Sequence, residues 1–116
     1  QRHTSNIALK EPATTLHSLG LLLPNTYEHC DWVSKITHFA PNSNSVQKIK
    51  TVVAEEGNSS FLGNIAVNQA AQQTNTLMVN ENLLLGEKGC AMSAPQLEIL
   101  ADDVKCNHAV TITQLD

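Results

Sequence analysis

The chain has 116 residues, enough for one domain, a formal net charge of −4, only seven Lys and Arg, and 16% charged residues. That balance excludes a coiled coil, and with no basic cluster it makes nucleic acid and anionic membrane poor partners. Eleven Asn, 11 Ala, 10 Thr and 8 Ser take the place of charge, and no apolar run approaches the ~20 residues of a membrane-spanning helix.

Strand-like runs follow one another along the chain. The first, at 16–23, stops at Pro24-Asn25, and the second, at 27–37, leads into Ala40-Pro41-Asn42-Ser43-Asn44. Residues 45–53 end at Glu55-Glu56-Gly57-Asn58, and 61–67 run into an Asn/Gln/Ala stretch at 68–73, long enough for one helical turn at most. Residues 74–85 end at Gly86, 96–100 follow Pro95, and 109–115 close the chain. The centres of most of these runs lie about 13 to 17 residues apart. Phe61, Gly63, Ile65 and Val67 alternate with Asn64 and Asn68, and Leu97 and Ile99 alternate with Gln96 and Glu98. Period two predicts half-buried strands, with Phe61, Ile65, Val67, Leu97 and Ile99 facing inward. The fold class is therefore all-β. A sandwich of this size usually carries Asn-Gly or Asp-Gly hairpin turns, which are missing here. A β-solenoid, in which like side chains such as Asn stack coil upon coil, is the other architecture that fits.

Three cysteines, Cys30, Cys90 and Cys106, make an odd count with no secretory signal before them. A reduced intracellular compartment is expected, cytoplasmic or, in a eukaryote, plastid. Cys106-Asn107-His108 places a thiol and an imidazole two positions apart, hence on the same side of a strand, where they can share a metal or an iron–sulfur species. The plainer alternative is a small buried Cys beside a surface His, since a closed metal site wants four ligands. His29-Cys30-Asp31 sets His29 and Asp31 on one face and Cys30 on the other; one reading joins His29-Cys30 to Cys106 and His108 as a small metal site. Cys90 reads as an apolar filler, and Asp102-Asp103 as a solvated turn, because adjacent strand positions diverge. No phosphate loop, nucleophile elbow or zinc-protease helix is present, so no enzyme is expected.

Pro95-Gln96-Leu97-Glu98-Ile99-Leu100-Ala101-Asp102-Asp103-Val104-Lys105-Cys106-Asn107-His108 closely resembles the "PQLEIxADDVKCSH" signature of the SufD branch of the SufB/SufD family, in the SUF iron–sulfur cluster assembly machinery. Gln72-Gln73-Thr74, Asn82-Leu83-Leu84-Leu85, the 61–67 strand, and Thr37-His38-Phe39-Ala40-Pro41-Asn42 with Ser45 and Gln47 are similar to further segments of that family. The resemblance implies a right-handed parallel β-helix core at residues 1–116, without the family's flanking helical segments. It also implies a non-enzymatic scaffold that pairs with SufB through the β-helix and binds the SufC ATPase through a later helical segment. It further implies a nascent-cluster site at the partner interface, with Cys106 and His108 as the candidates and no cofactor held tightly by the isolated chain. The chain departs from the family where "HGATVG" becomes His108-Ala109-Val110-Thr111-Ile112-Thr113, and Gln73 and Ala94 replace lysines. Loss of both glycines predicts an unbroken strand there, and the trend toward β-formers also fits an engineered or excised structural module with no cluster activity. The run of strand formers at 109–113 predicts self-association of terminal coils, most simply as a homodimer.

Overall fold

The structure, a computed structural model, describes residues 1–115. Eight strands follow in order: β1 (Arg2–Leu9), β2 (Thr15–Leu22), β3 (His29–His38), β4 (Asn44–Val53), β5 (Asn58–Val67), β6 (Thr74–Leu84), β7 (Cys90–Ile99) and β8 (Val104–Gln114). Among the described residues there is no helix, and 68–73 form turns. Odd strands make one parallel sheet, β1-β3-β5-β7, and even strands a second, β2-β4-β6-β8. Each odd–even pair is thus one coil, and four coils stack into a β-solenoid. Register partners lie 29 to 32 residues apart, as Arg2 with Asp31 and Asn58 with Cys90. The spacing of runs read from the sequence is half a coil.

Two strands differ from the expected runs. β1 covers Arg-His-Thr-Ser-Asn-Ile-Ala-Leu, polar enough to hide its pattern; its pairing with β3 makes it a strand. β7 begins at Cys90 rather than at 96 and contains Pro95, which an edge strand tolerates because a missing N–H on its open side breaks no ladder bond.

Aliphatic side chains and buried polar ones both stack inside the coils. Ile7, Ile36, Ile65 and Leu97 are successive register partners on the inward side of the odd sheet, and Trp32 lies beside Phe61. Ile36 and Ile65 are fully buried, whereas Leu97 is 43% and Ile99 39% exposed. The inward assignment of Leu97 and Ile99 stands by register with Ile65 and Val67, but their burial does not, because no coil of this chain covers β7. Asn stacks on Asn in register at exposed Asn44 and Asn75, whereas the buried amides find other partners. Asn80 donates to the Ile49 carbonyl, and Asn82 donates to Asn80 Oδ1 and the Thr111 carbonyl, so these amides satisfy one another and the neighbouring coils' backbone.

The corners repeat as the strands do. Ala13, Asn42 and Gln73 occupy the same corner in three successive coils with φ of 58°, 56° and 60°. Their N–H groups donate to the carbonyls of Pro41, Gln72 and Asp103 in the next coil. Tyr27 and Glu56 occupy the other corner with φ of 63° and 64°, and the Tyr27 N–H donates to the Glu56 carbonyl in the next coil. A left-handed residue turns the chain there and aims its amide along the stack, a geometry that costs a non-glycine residue about 1–2 kcal/mol. Inside, Gly63 makes room for its neighbours: a Cβ there would sit 2.8 Å from the Phe61 ring and collide with Met78 Sδ.

Candidate functional site

Among the described residues, chemically versatile side chains meet open space on the inward side of the last coil and in a cavity at the first coil lined by His3, Glu28, Cys30 and Asp31; the pair singled out in the sequence lies at the former. On β8, Cys106 is the register partner of Thr76, and His108 that of Met78. Thr76 and Met78 are buried in the interior, so Cys106 and His108 share that inward side, about 6.6 Å apart along the strand. β8 runs through Ala109, Val110 and Thr111 without a break, as expected from the missing glycines. Cys106 is half-buried and burial pushes its thiol pKa up, whereas His108 is exposed. Val110 and Ile112, farther along the same side, are 42% and 55% exposed. With Leu97 and Ile99 they form an apolar margin beside the thiol and imidazole.

Beneath Cys106 lies a buried polar chain. His38, fully buried, contacts Ser43 Oγ through Nδ1 at 2.7 Å and Ser45 Oγ through Nε2 at 2.9 Å. Ser45 Oγ contacts Thr76 Oγ1 at 2.7 Å, and Ser43 donates to the Ala40 carbonyl. Ser45, Thr76 and Cys106 are successive register partners on the even sheet. Burial lowers the His38 pKa. In the sequence His38 and Ser45 were visible only within a family-like segment, with no role attached, and Thr76 carried no signal. Parallel register alone brings these distant positions together.

The other candidates resolve differently. His29 Nε2 lies 2.6 Å from Asp31 Oδ1 on the outer side of β3, and Ser60 donates to the same carboxylate. The Ser60 hydrogen bond is the main cause that holds the Asp31 pKa below the ordinary range, with His29 adding to it. Cys30 faces inward and is buried, and burial raises its pKa, aided by Glu28. A metal site joining His29-Cys30 to Cys106 and His108 is excluded: β3 and β8 belong to different sheets, and β5 and β6 lie between their coils. Among the described residues no three His, Cys, Asp or Glu side chains converge on a metal position. Cys90 is exposed at the start of β7, so it fills no core space. Asp102 and Asp103 form an exposed corner, where the Asp103 amide donates to Gln72 Oε1.

The whole chain, residues 1–116, matches the family model described as SUF system FeS cluster assembly, SufBD core domain. It is 39% identical over 115 residues to the iron–sulfur cluster assembly protein SufD of Escherichia coli, covering 99% of this chain and 27% of that protein. A SufBD family protein of Synechocystis is 36% identical, over 99% of this chain and 25% of its own. The chloroplastic ABCI7 protein of Arabidopsis thaliana is 34% identical, over 99% and 24% respectively. The chain thus spans about a quarter of the length of the curated relatives it matches.

Proposed function

The chain belongs to the SufBD core-domain family of the SUF iron–sulfur cluster assembly system, and on that premise we propose that it is the β-helix core of a SufD-like scaffold. In this reading it is not an enzyme; it works with SufB-like and SufC-like partners and receives the cluster as cargo. The observation that carries it is the placement of Cys106 and His108 side by side on the uncovered inward side of the last coil. A thiolate and an imidazole are good ligands for iron, but two ligands leave a four-coordinate shell half empty. A partner docking on β7 and β8 would supply the rest, and the exposed Leu97, Ile99, Val110 and Ile112 would be buried by it. The bound species is therefore transient and shared.

The test is co-expression with the SufB-like and SufC-like proteins of the same genome, followed by assay of iron and acid-labile sulfide in the purified complex. Cys106→Ser and His108→Ala are expected to leave complex formation intact and to lower cluster content at least tenfold together. A complex that loads clusters equally well with both residues replaced would contradict the site. Failure to form any complex would favour the structural module without cluster activity.

A further inference from the structure

The outer side of the even sheet is apolar and open. Along β4, Ser45, Gln47, Ile49 and Thr51 are buried inside, so Val46, Lys48, Lys50 and Val52 point out. Register carries that side across the coils. Leu19, Lys48, Val79 and Ala109 make one row, and Leu21, Lys50, Glu81 and Thr111 the next. Val46 with Leu77 and Val52 with Leu83 flank these rows. Leu19 is 73% and Leu21 57% exposed, and the outward Val and Leu side chains of β4 and β6 are only half-buried. On the outer side of the odd sheet, only the row through Val33 and Leu62 joins two large apolar side chains. A parallel sheet is ordinarily covered on both faces, and among the described residues nothing covers this one. Its charge is also unlike the rest of the chain. Lys48, Lys50 and, near one corner, Lys105 stand against a single carboxylate, Glu81, although the net charge is −4. Lys48 and Lys50 form no salt bridge with a described residue, and a groove of about 230 Å³ opens beside Lys50 and Glu81.

From this face we infer a docking site for an amphipathic helix of a partner protein, with Asp or Glu flanking its apolar stripe. Lys48 and Lys50 lie two residues apart on one strand, ~6.6 Å, close to the ~6 Å rise between helix positions i and i+4. Carboxylates one turn apart therefore meet both ammonium groups. The helix, ~10 Å across, runs along β4 and β6 with its stripe on Val46, Leu77, Val79 and Leu83, and the lysine stems extend beside it. A second copy would set the same excess of lysines against itself. An anionic bilayer would have to take in Glu81 together with the lysines. The site is separate from Cys106 and His108, which point to the other side of β8.

The test is an NMR titration of the chain with two synthetic helical peptides of about five turns. Both carry one Leu stripe; Glu flanks it in the first and Lys in the second. The Glu peptide should shift amides of β4 and β6 and bind about tenfold more tightly than the Lys peptide, through two surface charge pairs. Lys48→Glu with Lys50→Glu should reverse that preference, and Val79→Asp should abolish binding of both peptides with strand content unchanged. Equal binding of the two peptides, no binding, or shifts confined to β7 and β8 would overturn the site. Concentration-dependent shifts of this face without peptide would assign it to a second copy. Binding to phosphatidylserine vesicles but not to the Glu peptide would assign it to a membrane. Either result would overturn the helix partner.

Discussion

At the scale of single residues, the histidine and the corner residues do most to define the molecule. His38 is buried and neutral among hydroxyls, with a pKa below its ordinary 6.5. The folded state therefore binds fewer protons at this site than the unfolded chain. Its contribution is complete above pH 6.5 and is lost as pH falls from there through the folded-state value. Urea unfolding midpoints should decline over that interval, and His38→Gln, which cannot titrate, should remove this part of the decline while lowering stability at pH 7. An identical pH profile in the variant would contradict the assignment. At the corners, Gln73 has φ of 60°, so Gln73→Gly should raise stability by up to about 1 kcal/mol, the relief of left-handed strain less the entropy gained by the unfolded chain. Gln73→Val should lower it, since a β-branched side chain tolerates that region least. The sequence held the Cys106/His108 pair in plain view because i and i+2 share a side on any strand. It hid Thr76 and the left-handed corners, because a Thr in a β-rich chain and a Gln in a polar turn are ordinary until register stacks them.

At the scale of elements, the aliphatic column Ile7–Ile36–Ile65–Leu97 explains both cohesion and its gradient. Ile36 and Ile65 have a coil on each side, whereas Ile7 and Leu97 have one. Ile65→Ala should cost about 2–5 kcal/mol, in the range of buried large-to-small changes. Leu97→Ala should cost much less, because that side chain already meets solvent; equal costs in denaturant titrations would mean that the end coil is covered. Gly63→Ala should destabilise by about 1–3 kcal/mol through overpacking against Phe61 and Met78. Period two in the 61–67 and 96–100 runs sufficed to assign inward faces. β1 and the first half of β7 were not legible, because their apolar positions are sparse, and pairing with β3 and β5 supplies what local pattern lacks.

At the scale of the whole molecule, four parallel coils make a body of 46 × 22 × 19 Å with β7 and β8 stacked at one end. β7 and β8 are edge strands with unpaired backbone groups, and the inward side chains beside them remain partly bare. Without a partner this end should pair with a second copy: light scattering at micromolar concentration should give twice 12.6 kDa, and Val110→Lys with Ile112→Lys should return the monomer with strand content unchanged. A wild-type monomer would contradict that pairing. The spacing of runs leaves a sandwich and a solenoid open and the family resemblance points to the solenoid; the coil length and the outermost strands are not legible in the sequence, since only stacking order reveals them. The account rests on that end being where the SufB-like partner docks. Hydrogen exchange of the chain, alone and with that partner, tests this most directly. Protection should rise across 90–114, most strongly in β8 around Cys106 and His108, and stay unchanged in β1 and β2; new protection confined to β1 and β2, with β7 and β8 unaltered, would contradict it.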